Sequence, residues 1–220
     1  LYYQSAGYSG SQIGLLTGIA PLITLVGGPF WAGVADSTRL HKTIITAAIA
    51  AAIGLALLVP LVNSFTILFG LVVLFSFFSS PIVSLADSAT MFMLGEEKHR
   101  YGQIRLWGSV GWGLVALLAG NIIEQFGLDW PFYGYAIGMG GALLVAITLH
   151  FPLQKTAASF KKGISTLLSS KNWMLFLLMV LLGGIGMATV NSYLFVYMGN
   201  LGLNNTLMGL ALTISTLSEI

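Results

Sequence analysis

The sequence predicts an all-α, polytopic membrane protein, and three observations carry that expectation. Of 220 residues, 56% are apolar and only 7% are Asp, Glu, Lys or Arg, whereas an ordinary soluble domain carries about 25% charge. With a mean hydropathy of +0.90, there are too few polar side chains to cover a compact particle in water, so the outer surface must face lipid. The apolar residues also fall in long runs separated by short polar clusters, at the length of about 20 residues that crosses a bilayer. Finally, Lys and Arg occur only in every second connection between those runs, the pattern of a chain that keeps its basic loops on one side of a membrane.

Taken in order, Leu1, Tyr2 and Tyr3 read as the tail of a preceding helix, counted here as the first, and residues 7–12 as a loop followed by a helix start. Spans follow over 12–35, 43–62, 65–94, 103–123, 131–151 and 172–198, with a truncated one over 206–220. The chain is therefore read as a fragment, lacking most of helix one and everything after helix eight. Arg39 and Lys42 lie between helices two and three, and Lys98, Arg100 and Arg105 between four and five. Lys155, Lys161, Lys162 and Lys171 lie between six and seven. The alternate connections hold no charge (62–65, 199–206) or only the acids Glu124 and Asp129. The basic stretches 36–42, 96–102 and 153–171 are accordingly expected in the cytoplasm. The polar stretch from Pro152 to Lys171 divides the chain into a first transmembrane bundle (1–152), a cytoplasmic linker (153–171) and the opening of a second bundle (172–220). Within the linker, Phe160, Ile164, Leu167 and Leu168 recur at helical spacing beside Lys161 and Lys162, which fits a short helix on the membrane surface and a flexible connection equally.

Polar residues inside apolar helices carry the functional expectations. Asp87 sits within an apolar run, where a carboxylate costs about 3 kcal/mol or more unless it is paired or hydrated. Arg105 is its expected partner. The two lie nine residues either side of Glu96 in the turn, so an antiparallel hairpin sets both about 13 Å from the turn, at equal depth. Arg105 also offers a planar fork of donors for paired ligand oxygens, the alternative being a structural ion pair or a side chain reaching to the headgroups. Trp112, seven residues on, projects from nearly the same face, and an indole there suits the apolar face of a pyranose or an aromatic ring. Glu219 is a third acid within a membrane segment. Asn191, Tyr193 and Tyr197 form a polar patch in helix seven that helix-to-helix hydrogen bonding explains equally well. Asp36, Arg39 and Lys42, in the connection 33–42, are candidates for a gating loop, with Asp36 just after a helix and pairing with nearby basic groups. The pairs Gly14/Gly18 and Gly134/Gly138 have the spacing of close helix approach.

Several functions are excluded. Cysteine is absent, which removes disulfides, thiolate metal sites and cysteine nucleophiles. A net charge of +2 is too small to point to nucleic acid. Neither H-E-x-x-H nor a P-loop pattern is present, leaving metal hydrolysis and ATP-driven pumping without support. Residues 7–10 have the G-x-S-G form of an intramembrane protease, but they lie in a loop with no geometric relation to His150. No catalytic residue, metal or cofactor is expected.

The connection 33–42 resembles the major facilitator superfamily signature, with Asp36 and Lys42 in place and departures at Ser37 and Arg39, where the signature carries a basic residue and a glycine. Residues 101–112, YGQIRLWGSVGW, resemble the start of helix five in the oligosaccharide/proton symporters of the lactose permease group. In that group the arginine and tryptophan matching Arg105 and Trp112 contact sugar, as does the acid eighteen residues earlier, a Glu where this chain has Asp87. The segment 215–219 resembles the helix-eight stretch whose Glu, here Glu219, binds sugar. The resemblance implies two six-helix bundles with substrate at the midplane between them and alternating access. It further implies a monomer in the cell membrane that takes a small-molecule substrate, a sugar, with protons as the coupling ion. Permeases for phenylpropionate-like aromatic acids or nucleosides share the pattern and are the alternative within transport; a non-transporting membrane sensor is the alternative outside it.

Overall fold

The computed structural model describes residues 2–148 and 169–217. Among these residues no strand occurs, and the chain forms α1 (Tyr2–Ser5), α2 (Gly10–Thr38), α3 (His41–Leu58), α4 (Phe65–Leu94), α5 (Tyr101–Phe126), α6 (Trp130–Thr148), α7 (Lys171–Asn200) and α8 (Asn205–Leu217), with short 3-10 turns at Val59–Leu61 and Gly95–Arg100. Among the described residues, five stretches are long and apolar enough to cross a membrane: Gly10–Thr38, His41–Leu61, Phe65–Phe126, Trp130–Thr148 and Lys171–Ala188. The third is two helices. Gly95 takes the left-handed φ of 51° and Glu97 leaves helical geometry at ψ 31°, so the chain reverses between α4 and α5. Several helical hydroxyls are satisfied within their own helices, which limits their cost in lipid. Thr17, Thr24 and Thr90 each donate to the carbonyl four residues back at 2.9 Å.

The helix starts and stops follow local chemistry. Ser9 is the N-cap of α2, its hydroxyl accepting from the Gln12 N–H at 3.4 Å while the Gln12 side chain accepts from the Ser9 N–H at 2.9 Å. That reciprocal pair is a capping box. It gives the serine of the G-x-S-G segment a structural role. The α2 helix also runs further than hydropathy predicts: Asp36, Ser37 and Thr38, expected in a loop, form its last turn. The Ser37 and Thr38 hydroxyls donate back to the Val34 carbonyl at 3.1 and 2.7 Å, so both are satisfied within the helix. Arg39 then reverses the chain at φ 59°.

Two units emerge from the contacts, Leu1–Gln154 with Asn205–Ile220, and Lys155–Asn204. In the first, α4 packs on α2 and α3, and α3 on α6, while α5 touches α4 and α6 only lightly and packs mainly along α8. One apolar cluster joins Ala35, Ile44, Ile45, Ile49, Leu85 and Ala146 at the end of the bundle where α2 finishes and α3 begins. A second joins Leu16, Val59, Leu68 and Val72, with Tyr2, Tyr3 and Tyr8 against it, at the opposite end. Arg39 and Lys42 therefore lie at the first end. In the second unit, α7 is a 30-residue helix whose described side chains are mostly exposed. The expected surface helix at Phe160, Ile164, Leu167 and Leu168 lies outside the described residues.

The glycine spacing did not mark the close helix approaches. Around Gly14, Gly18, Gly134 and Gly138 an added methyl group would meet open space. The approaches occur instead at Gly27, where a Cβ would stand 2.6 Å from Ser80 Oγ, and at Gly209, where it would stand 2.7 Å from the Ala116 carbonyl oxygen. At Gly209 the obstacle is backbone. Spacing alone does not say which face of a helix meets a neighbour.

Candidate functional site

Asp87 and Arg105 meet. Arg105 Nη1 donates to Asp87 Oδ2 at 3.2 Å across the α4–α5 reversal. In one straight helix these residues, 18 apart, would be separated by about 27 Å. Nine residues on each side of the turn bring them level. The same nitrogen donates to the Tyr101 hydroxyl at 3.1 Å, one turn earlier on α5. Both hydrogens of Nη1 are thus engaged. Among the described residues the Nε–Nη2 edge remains open, and that edge carries two parallel N–H groups.

Asp87 is paired, as a carboxylate within an apolar helix requires, and it is also partly exposed. Its side chain is 42% exposed and that of Arg105 62%, because α5 makes few contacts with α4 and α6 on that face. The pair thus lies on a face that the neighbouring helices α4 and α6 leave uncovered. Trp112 is 63% exposed. It stands two turns along α5 and about 20° round the helix from Arg105, so the indole and the guanidinium line one side of α5. The neighbouring side of α5 carries the α8 contact. There Thr213 donates to the Gly113 carbonyl at 2.9 Å and the Thr206 hydroxyl donates to Glu124.

Of the other expected site residues, Glu219 lies outside the described residues, as does the side chain of Asn191. Tyr193 and Tyr197 are exposed on α7. Asp36 does pair, but with His41, whose Nε2 lies 3.2 Å from Asp36 Oδ1. Among the described residues no ion pair joins Asp36 to Arg39 or Lys42. The reason is the helical extension: Asp36 sits on the last turn of α2, facing the first residue of α3, while the left-handed Arg39 turns outward. His41 and Tyr101 are the residues that sequence reasoning missed. A hydroxyl one helical turn before a lone membrane arginine was a usable signal for Tyr101, and a histidine opening a helix beside an acid was one for His41.

A helical bundle of apolar spans, an acid–arginine pair within two adjacent spans and a charged reversal between the first full spans together define a polytopic membrane protein of the major facilitator type. The chain belongs to the MFS_1 like family, which matches residues 1–220. It is 30% identical over 217 residues to the maltose permease of Geobacillus stearothermophilus, an alignment covering 98% of this chain and 55% of that protein. It is 28% identical over 218 residues to the uncharacterized transporter YwbF of Bacillus subtilis (strain 168), covering 96% and 53%. The chain spans about half the length of these curated relatives. No solved structure matches it.

Proposed function

We propose that this chain forms part of a secondary active transporter that carries a sugar with protons by alternating access. The observation that carries this reading is the open Asp87–Arg105 pair. Asp87 holds one guanidinium nitrogen and neutralises the charge, while the free Nε–Nη2 edge presents two parallel donors. Adjacent hydroxyl oxygens of a pyranose fit that edge, and Trp112 supplies the flat apolar surface for the ring face. A carboxylate substrate would have to compete with Asp87 for the arginine, so the pair favours a neutral solute over a phenylpropionate-like acid. The relative named maltose permease supports a sugar on independent grounds.

In this reading Asp87 accepts from a substrate hydroxyl, Arg105 donates, and Glu219 and Asn191 add hydrogen bonds from the second bundle. Residues 1–152 form the first bundle, 153–171 the linker and 172–220 the start of the second, with α8 reaching back along α5. Asp36, Arg39 and Lys42 act at the cytoplasmic gate, Asp36 through His41. The basic stretches 36–42, 96–102 and 153–171 face the cytoplasm, the protein works as a monomer, and it performs no covalent chemistry. The test is proton-coupled uptake by the complete gene product: Arg105→Ala should abolish uptake of a sugar such as maltose with membrane expression unchanged, and normal uptake by that variant would remove the site.

A further inference from the structure

Pro81 interrupts α4 in its buried interior. A proline has no N–H, so the carbonyl four residues earlier, that of Phe77, loses its helical donor, and the ring bends the helix. Two side chains occupy that carbonyl. Ser80 Oγ donates to it from within α4 at 2.8 Å, and Trp31 Nε1 donates from α2 at 3.0 Å. One donor would satisfy the acceptor, and the serine is already in place. The second, from another helix, does something the first cannot: it fastens the bend to α2. The surroundings fit a fastening. Gly27, one turn before Trp31, lets α2 approach until Ser80 is within van der Waals contact. The Trp31 ring packs against Phe77 and Phe78 with centroids 5.4 and 5.8 Å away.

We infer that Trp31 is a positioning residue: its indole N–H, bound to the carbonyl freed by Pro81, fixes the direction of the half of α4 that carries Asp87. Asp87 lies six residues beyond Pro81, and Asp36 five beyond Trp31. The single bond therefore also ties the helix end at Asp36 to the segment bearing the Asp87–Arg105 pair. The role in binding rests on the proposed function of that pair; the mechanical role does not.

This chain contributes no cysteine, so with any cysteine elsewhere in the complete gene product replaced, spin labels can be placed at chosen pairs in the purified protein. Leu58→Cys with Met93→Cys spans the outer end of α3 and the far end of α4, beyond Pro81. Leu40→Cys with Ile67→Cys spans the inner end of α3 and the part of α4 before Pro81. All four positions are exposed. Met93 is about 18 Å beyond the proline, so a swing of about 20° moves it by about 6 Å. Trp31→Phe keeps a ring against Phe77 and leaves Ser80 on the carbonyl, so the fold persists. It should shift or widen the 58–93 distance distribution on that scale and leave 40–67 unchanged. Ser80→Ala should change neither pair. Pro81→Ala, which returns a helical donor and straightens α4, should move 58–93 alone and provides an independent variant. Should Trp31→Phe leave both pairs as in the parent, or widen both alike, Trp31 is a packing residue and the inference is wrong. The site reading fails separately: normal sugar uptake by Arg105→Ala would remove the binding role and leave the fastening of α4 standing.

Discussion

At the residue scale, the proposed binding rests on the arginine fork. Arg105→Lys keeps the charge but replaces a planar set of five donors with a compact ammonium. It can still meet Asp87 yet cannot present two parallel N–H groups, so the apparent affinity for substrate should fall by about 10- to 100-fold, read as a rise in KM for uptake. Tyr101→Phe removes the hydroxyl that takes the second Nη1 hydrogen. That loss frees the guanidinium to rotate, and a KM increase of about 3- to 10-fold is expected, with expression unchanged. Arg39 makes a different point. It holds φ 59°, a left-handed conformation costing a side chain roughly 1 kcal/mol that glycine adopts without that cost. Arg39→Gly should therefore raise the thermal unfolding midpoint in detergent, and a lower midpoint would mean that the side chain contributes more than its backbone costs.

At the level of elements, the close approach of α8 to α5 depends on Gly209. A Cβ there would stand 2.7 Å from the Ala116 carbonyl oxygen, which is backbone and cannot swing aside. Gly209→Ala should destabilise by about 1–3 kcal/mol. At Gly14, where the added methyl meets open space, the same change should be neutral or stabilise by up to about 1 kcal/mol through helix propensity. Opposite signs from one substitution type are the expected outcome of parallel melting curves. These two glycines also mark the limit of what the sequence reveals. Spans of the bundle follow from hydropathy because each apolar run is a local property, and the Asp87–Arg105 contact follows from counting residues about one turn. The last turn of α2 was hidden because Asp36, Ser37 and Thr38 look like a loop. They continue the helix, with the Ser37 and Thr38 hydroxyls turned back onto the Val34 carbonyl and Asp36 paired with His41, contacts that composition does not disclose. Gly209 and the Trp31–Phe77 bond were hidden for a stronger reason, since each joins residues far apart in the chain and no periodicity links them.

For the whole molecule, the proposed orientation rests on the distribution of charge. In the first unit Arg39, Lys42, Lys98 and Arg100 gather at one end beside the acids Asp36, Glu96 and Glu97, whereas the α5–α6 connection carries only acids, Glu124 and Asp129. A cytoplasmic location for the basic end predicts the result of labelling intact cells with a membrane-impermeant maleimide. Leu61→Cys, exposed at the acidic end, should react, and Leu40→Cys, exposed beside Arg39, should react only after the membrane is opened. The central claim, that the Asp87–Arg105 pair binds a neutral sugar carried with protons, is tested most directly by external pH. Cells expressing the complete gene product, held anaerobic in weak buffer, are given maltose and other sugars, then phenylpropionate and nucleosides. The account predicts alkalinisation on adding one sugar and its loss in Arg105→Ala. Alkalinisation only with an aromatic acid or nucleoside, or an undiminished sugar response in Arg105→Ala, would contradict it.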